Sequence, residues 1–228
     1  MARFDRLFAI EGGDGSGKGT QTKLLANNLR AEGIEVFHGS YPRYGEPSAM
    51  LVERYLRGEY GASDHIPSDL ASAAFLLDRI AGTTEINNFF NRHPNGVGIL
   101  DRHVMSNLAH QATRLTEYSE RVAFYKEWKI REYETFEVPK PAKNVILLVP
   151  SGLAQLNVDK KSARSYTSDK RDIHEADASH LDKTLRNYQE LAELFPDELV
   201  PIWAVDIATQ SMRPIEEIQT ELRHALGL

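Results

Sequence analysis

The sequence contains no cysteine, and its longest aliphatic run is only five residues, Val145–Val149. Without cysteine the chain has no disulfide bonds, no thiolate metal ligands and no thiol nucleophile. A helix needs about 20 apolar residues to span a membrane, so this run is far too short. A signal peptide is not predicted either, because Asp5, Arg6 and Glu11 bound the only apolar stretch near the N-terminus. We therefore expect a cytoplasmic protein with no membrane partner.

The chain also lacks an excess of basic residues. Its 27 Lys and Arg residues face 33 Asp and Glu residues, which gives a formal net charge of −6. Binding to nucleic acid or to an anionic membrane rewards a basic surface, so neither is expected as a partner. Local basic clusters can still bind the phosphates of a nucleotide. The length of 228 residues suits one domain, which we predict over residues 1–228.

Short apolar runs alternate with helical patterns along the chain. The strand candidates are Leu7–Ile10, Ile34–Phe37, Val97–Leu100, Val145–Val149 and Leu199–Val205. Because these runs are continuous, they are typical of strands buried on both faces. Helices are predicted to end at Gly33, to run from Pro67 to Phe90, to follow the apolar stripe Leu181–Phe195 and to begin at Pro214. This alternation predicts an α/β fold in three layers, with a five-stranded parallel sheet flanked by helices.

A glycine-rich loop follows the first strand candidate and precedes a helical pattern. It reads Gly12-Gly13-Asp14-Gly15-Ser16-Gly17-Lys18, which is the G-x-x-x-x-G-K pattern. The glycines let successive backbone N–H groups surround an anion, and the helix N-terminus adds partial positive charge. Lys18 reaches the β- and γ-phosphates. The sequence therefore predicts a P-loop NTPase fold that binds ATP through residues 12–20.

The residue after Lys18 departs from the usual pattern. A Ser or Thr hydroxyl normally follows the lysine and contacts Mg²⁺, whereas here Gly19 precedes Thr20. Either Thr20 substitutes for that hydroxyl, or the metal is held mainly through water and carboxylates, which Mg²⁺ tolerates well. Asp101, at the end of the third strand candidate, is the carboxylate that could organise the metal and its waters.

Two classes of P-loop protein compete at this point, a phosphotransferase and a nucleotide-driven switch. A guanine-specific switch should carry Asn-Lys-x-Asp, and the sequence contains no such tetrapeptide. A transferase needs an acceptor site beyond the carboxyl ends of the strands, where arginine can bind phosphate and an aromatic ring can stack on a base. The candidate segments are Tyr41–Gly45, Phe75 with Arg79 on one helix face, and Asp101–His103 followed by the polar helix face of Asn107, His110, Gln111 and Arg114.

Taken in order, these segments resemble the thymidylate kinase family over nearly the whole chain. Apart from the P-loop no single motif is specific, whereas their order and spacing are. The motifs are Ile10-Glu11-Gly12 with Asp14 and Lys18, Tyr41-Pro42-Arg43-Tyr44-Gly45, Phe75 with Arg79, Asp101-Arg102-His103 with Ser106 and Asn107, and Asp172-Ile173-His174-Glu175. The resemblance implies phosphoryl transfer from ATP to dTMP with Mg²⁺, giving ADP and dTDP for dTTP biosynthesis.

The resemblance also implies which residues bind each part of the reactants. Thymine is expected to stack on Phe75, with Arg79 and Asn107 reading its polar edge. Asp14 is expected to bind the 3′-hydroxyl of the deoxyribose. The residues implied for the acceptor phosphate are Arg102, Tyr44 and Arg43, and those implied for Mg²⁺ are Asp101 and Thr20.

His110 and Gln111 complete the implied substrate-binding face. At the position matching His110 the family places a tyrosine or phenylalanine, whose ring fills the space that a 2′-hydroxyl would need. Imidazole is smaller than a phenol and can donate or accept a hydrogen bond. The resemblance therefore implies that this chain excludes the ribose form of the substrate less strictly.

The acceptor region is predicted over about residues 41–80, and a short lid over about residues 157–173. Some family members carry an arginine after the P-loop aspartate, where this chain has Gly15. The chain thus resembles the subgroup whose catalytic arginines come from the lid. The catalytic residues implied in this way are Lys18, Arg102, Arg164 and Arg171.

Two alternative functions stay open on the sequence. Lys18-Gly19-Thr20 is also typical of adenylate kinases, which favours another nucleoside monophosphate kinase, although the inserted stretch here is short for their lid domain. A catalytically silent protein that binds nucleotide without turnover is the alternative from another class. The family resemblance further implies a homodimer whose ligands are nucleotides rather than nucleic acid.

Overall fold

The computed structural model describes residues 4–61, 65–159, 178–206 and 208–228. Most of the predicted lid, with Arg164 and Arg171, lies outside the described residues, as does the motif Asp172–Glu175. Within the described ranges, no helix has an apolar stretch long enough to cross a membrane.

Five parallel strands form the central sheet, in the spatial order β2-β3-β1-β4-β5. They are β1 (Leu7–Gly12), β2 (Val36–Ser40), β3 (Val97–Asp101), β4 (Lys143–Leu148) and β5 (Leu199–Trp203). Each of the five strand candidates overlaps one strand of the sheet, although the candidate Leu199–Val205 is too long, since β5 ends at Trp203. Burial on both faces holds for β1, β3 and β4, whereas the prediction is wrong for β2 and β5, which are edge strands and partly exposed. A separate antiparallel pair joins β6 (Val205–Asp206) and β7 (Ser211–Met212).

Eight α-helices are described. They are α1 (Lys18–Ala31), α2 (Met50–Leu56), α3 (Ser68–Arg92), α4 (Val104–Gln111), α5 (Tyr118–Ile130), α6 (Ser151–Asp159), α7 (Ala178–Leu194) and α8 (Ile215–Leu226). Gly33, with a φ of +81°, follows the end of α1 as predicted. Pro214 lies just before α8 rather than in its first turn. A π-helical turn, Arg131–Thr135, continues directly from α5.

Helices cover both faces of the sheet, so the molecule has three layers. Val145 and Leu147 of β4 belong to one core cluster with residues of α1 and α8. Ile146 and Leu148, which alternate with them, belong to a second cluster with residues of α4, α5 and α7. Because successive side chains of a strand point to opposite faces, this split is what a sheet covered on both sides requires.

The sheet register brings the predicted functional segments to one edge. Ile10 of β1 pairs with Asp101 of β3, and Ser40 of β2 pairs with Asp101 from the other side. The P-loop, the segment after β2 and the start of α4 therefore leave the sheet side by side.

Candidate active site

The P-loop is held tightly between β4 and α6. Gly12 has a φ of +144° and Gly15 a φ of +79°, conformations that side chains other than glycine rarely adopt. A Cβ at Gly12 would lie 2.6 Å from the carbonyl oxygen of Leu147, and one at Gly15 would lie 2.1 Å from that of Ala154. Neither position can carry a side chain in this arrangement. The two glycines thus fix the path of the loop.

The loop ends at the uncapped N-terminus of α1. Gly17 is the N-cap residue, and no described side chain caps the helix or places a carboxylate in its first turn. Lys18 is buried, and its Nζ donates to the carbonyl oxygen of Gly13 at 3.1 Å. A helix N-terminus with available N–H groups beside a lysine ammonium is a site for phosphate.

Arg102 links the P-loop to the acceptor side of the cavity. Its Nη2 donates to Oδ1 of Asp14 at 2.5 Å, and its Nη1 donates to the carbonyl oxygen of Gly12 at 3.0 Å. Burial opposes the charge of the guanidinium, but the Asp14 carboxylate outweighs it, and the pKa of Arg102 lies above its ordinary value. The φ of Arg102 is 68°, a left-handed conformation that costs a non-glycine residue about 1–2 kcal/mol. Such strain is typical of residues whose position serves a site.

His110 is engaged at both ring nitrogens. Its Nε2 lies 3.0 Å from Nη1 of Arg102, and its Nδ1 lies 3.2 Å from Nε2 of His180 in α7. Because a guanidinium only donates, Nε2 of His110 must be the acceptor in the first of these bonds. A ligand hydroxyl would have to displace one of these partners to bond the ring.

At the opposite end of the cavity, an aromatic ring and two polar side chains face the remaining space. The ring of Phe75 meets that of Tyr55 edge-on, with centroids 6.0 Å apart. Arg79 and Asn107 both bond a buried carboxylate, that of Glu132. No sequence pattern marked Glu132, because its partners are far away along the chain.

One cavity of about 520 Å³ joins the two ends. The predicted P-loop and metal residues that line it are Asp14, Gly17, Lys18, Gly19, Thr20 and Asp101. The predicted acceptor residues that line it are Tyr44, Phe75, Arg79, Arg102, Asn107, His110 and Gln111. Gly12, Gly13, Gly15 and Ser16 lie in the loop without lining this cavity, and Arg43 is also not in its wall.

Arg43 is directed away from the cavity by polar partners on α3 and beside α2. Its side chain bonds the Glu85 carboxylate and lies 3.4 Å from Oγ of Ser48. Its backbone N–H donates to Oδ2 of Asp78 at 2.8 Å. Tyr44, the next residue, lines the cavity, as do Tyr41 and Pro42 before it.

The surroundings of Gly19 give a physical reason for its departure from the usual pattern. A Cβ at residue 19 would lie 3.1 Å from Oδ2 of Asp101, so the carboxylate occupies the space next to this position. No group of three or more His, Asp or Glu residues in the described ranges could hold a metal ion by itself. Mg²⁺ needs only one or two protein carboxylates besides water and substrate phosphates. Asp101, with Thr20 on the same cavity wall, therefore fits a magnesium site.

Glu11 is a second buried carboxylate, which belongs to a motif of the sequence but has no predicted role. It is 0% exposed, and it accepts hydrogen bonds from the backbone N–H of His103 at 2.9 Å and from the hydroxyl of Ser106. Burial raises the pKa of Glu11, and the bond from Ser106 and the charge of Arg102 offset part of that rise. Glu11 thus ties the end of β1 to the start of α4.

Comparison with known proteins assigns the family. The family model described as thymidylate kinase matches residues 10–215. A thymidylate kinase of Mycobacterium tuberculosis is 36% identical over 194 residues, which cover 82% of this chain and 85% of that protein. A putative thymidylate kinase of Aeropyrum pernix is 27% identical over 98% of both chains, and a probable thymidylate kinase of Pyrococcus abyssi is 25% identical over 95% of this chain and 93% of its own length. With a cavity that joins the P-loop to Phe75, Arg79 and Asn107, and with these matches, the chain belongs to the thymidylate kinase family.

Proposed function

We propose that this chain transfers the γ-phosphoryl group of ATP to dTMP within the cavity of about 520 Å³. The observation that carries the proposal is the continuity of this cavity. Lys18 of the P-loop, Arg102 at the end of β3 and Phe75 of α3 all line it, so donor phosphates and an acceptor nucleotide can share one space. Family membership supports the choice of dTMP as the acceptor.

The P-loop would hold the phosphates of ATP. Its backbone N–H groups and the N-terminus of α1 are suited to the anionic oxygens, and Lys18 adds a full positive charge. Asp101 and Thr20 would hold Mg²⁺, which would supply positive charge to offset that of the phosphates. The Lys18 ammonium lies 3.9 Å from the Asp14 carboxylate, and both residues line the cavity.

The acceptor side would bind dTMP through residues of four segments of the chain. Phe75 offers a face for the base, Arg102 and Tyr44 suit the phosphate, and Asp14 can accept a hydrogen bond from a sugar hydroxyl. Arg43 could join them only after releasing Glu85. His110 and Gln111 are buried in the wall beside Arg102, so α4 presents polar groups to the cavity rather than to solvent.

No general base is required for this transfer. The second pKa of a phosphate monoester is about 6, so the acceptor is already largely a dianion at neutral pH. The work of the protein is to align two anions and to offset the charge of the transferring group. Lys18 and Arg102 both line the cavity, which supports this role for their positive charges.

A coupled assay of ADP release with a panel of nucleoside monophosphates tests the proposal. We expect dTMP to give the highest kcat/KM, and ADP release to depend on the acceptor. A higher kcat/KM with another monophosphate would favour the more general nucleoside monophosphate kinase. Nucleotide binding without turnover of any acceptor would favour a silent nucleotide-binding protein.

We also propose a homodimer, formed through an apolar stripe on α3 whose two leucines are exposed. Leu70 and Leu77 are 65% and 51% exposed, and they alternate with Ala74 and Ala81 at spacings of four and three residues. This spacing places all four on one face of a 25-residue helix. Alternation of large and small apolar residues suits packing against the same face of a second copy, as isologous two-fold interfaces require.

Leu77→Glu is expected to convert the dimer to a monomer, because the substitution places a carboxylate at the centre of the stripe. The mass measured by light scattering after gel filtration should fall to that of one chain. Ile215→Glu is the matched control, since Ile215 is 45% exposed at the start of α8 and should leave the mass unchanged. An unchanged mass of Leu77→Glu, or a wild-type protein that is already monomeric, would contradict this interface.

A further inference from the structure

Glu132 is buried beside the base end of the cavity, in the π-helical turn that follows α5. It is 0% exposed, and its two polar partners, Arg79 and Asn107, are each 2% exposed. A buried ion pair is rarely a net source of stability, because desolvation of both charges offsets their attraction. Single π-helical turns within helices are frequent at functional sites. Both observations point to a role in the cavity that Arg79 and Asn107 line.

The Glu132 carboxylate fixes the orientation of the Arg79 guanidinium. Its Oε2 accepts from Nε of Arg79 at 2.6 Å, and its Oε1 accepts from Nη2 at 2.5 Å. The remaining nitrogen, Nη1, has no hydrogen bond to any described residue, while the side chain lines the cavity. A guanidinium donates hydrogen bonds and does not accept them, so Arg79 can act toward a ligand only as a hydrogen-bond donor.

The same carboxylate fixes the side-chain amide of Asn107. Nδ2 of Asn107 donates to Oε1 of Glu132 at 2.9 Å and lies 3.4 Å from the carbonyl oxygen of Ser72. Both partners are acceptors, so the amide nitrogen rather than the oxygen must face them. Oδ1 of Asn107 is buried and has no partner among the described residues. Toward a ligand, the Asn107 amide can therefore act as a hydrogen-bond acceptor through Oδ1.

We propose that Glu132 is a positioning residue that sets the hydrogen-bond polarity of the base site, with Arg79 held as donor and Asn107 as acceptor. The proposal rests on the proposed function, with dTMP as the acceptor, and on the contact of Arg79 and Asn107 with the polar edge of the base that the family resemblance implies. Thymine and uracil are imides, with a carbonyl acceptor at C4 beside an N3–H donor, and they match this pair. Cytosine reverses both groups, with an amino donor at C4 and an unprotonated N3. The site would therefore select imide pyrimidines and reject cytosine.

Removal of the carboxylate should relax this selection. Without Glu132 the amide of Asn107 is free to rotate and present Nδ2 to the N3 lone pair of cytosine. Arg79 would lose the two bonds that aim its Nη1. The substitution is thus expected to affect the choice between bases, beyond any general loss of activity.

The test compares Glu132→Gln with Glu134→Gln, an exposed carboxylate of the same π-helical turn. We would measure kcat/KM for dTMP and for dCMP in both variants and in the wild type. In Glu132→Gln the kcat/KM for dTMP divided by that for dCMP should fall by about tenfold to a hundredfold, the usual range for a mispaired charged hydrogen bond. Glu134→Gln should keep the wild-type ratio. A merely structural role for Glu132 would lower both values alike and leave the ratio unchanged, which would overturn the proposal.

A second variant covers the case in which Glu132→Gln fails to fold, as judged by circular dichroism and binding of a non-hydrolysable ATP analogue. Glu132→Asp keeps the charge that Arg79 needs, but its shorter side chain cannot hold Arg79 and Asn107 together. Glu132→Asp should also lower the ratio of kcat/KM for dTMP to kcat/KM for dCMP. A ratio equal to that of the wild type would refute the inference. Failure of the wild type to phosphorylate dTMP would instead refute the proposed function, so the two failures are distinct.

Discussion

Lys18→Met is expected to lower kcat for phosphoryl transfer by about a thousandfold, the scale of losing one charge or donor aimed at the transferring group. The Lys18 side chain is buried in the cavity wall, so the ammonium acts in a site from which much of the water is excluded. Methionine keeps the length and apolar stem of the side chain, and it removes the charge and the bond to Gly13. The coupled ADP assay at saturating dTMP and ATP measures the loss.

Lys126→Met is the control for this experiment, because Lys126 lies exposed on α5, away from the cavity. Its kcat should match the wild type. Thermal unfolding of both variants should occur near the wild-type temperature. If the kcat of Lys18→Met lies within tenfold of the wild-type value, the P-loop has no role in phosphoryl transfer.

Arg102→Lys is expected to lower kcat/KM for dTMP by about a hundredfold, although the net charge is preserved. The guanidinium bonds Asp14 through one nitrogen and the Gly12 carbonyl and His110 through another. A single ammonium cannot span these partners, and each lost hydrogen bond to a charged group is worth about 1.5–3 kcal/mol. Kinetics with dTMP as the varied substrate measure the change.

The matched control for this substitution is Arg92→Lys, at the exposed end of α3. It should leave kcat/KM for dTMP unchanged. The KM for ATP should also change less than the KM for dTMP in Arg102→Lys, since Arg102 lines the acceptor side. Equal kcat/KM in Arg102→Lys and the wild type would exclude Arg102 from phosphate binding.

Local sequence patterns were enough to predict the central sheet and the P-loop. Strands β1, β3 and β4 are continuous apolar runs, because both faces of each strand lie under helices. Strand β2 runs from Val36 to Ser40 rather than over Ile34–Phe37, since an edge strand needs apolar side chains less strictly. The backbone conformation of the P-loop requires glycine at several positions. The motif can therefore be recognised in the sequence without any knowledge of tertiary contacts.

The partners of the site residues could not be predicted in the same way. The spacing of Phe75 and Arg79 indicated a shared helix face, yet the carboxylate that holds Arg79 comes from Glu132, 53 residues further along. The segment Tyr41–Gly45 predicted phosphate contacts for both Arg43 and Tyr44, whereas Glu85 draws the arginine away. The hydrogen-bond partner of each arginine depends on which groups lie close together after folding. The spacing of residues along a short segment carries no information on these partners.

The close contact between Gly15 and α6 constrains how this enzyme can evolve. A side chain at residue 15, arginine included, cannot enter until the Ala154 carbonyl has moved away. A lineage that acquired an arginine directly after the P-loop aspartate would therefore need α6 to be repositioned first. The reverse order would disrupt the loop before the helix could accommodate the new residue. Residue 15 and the position of α6 are thus expected to show epistasis, because a larger residue is tolerated at position 15 only after α6 has moved.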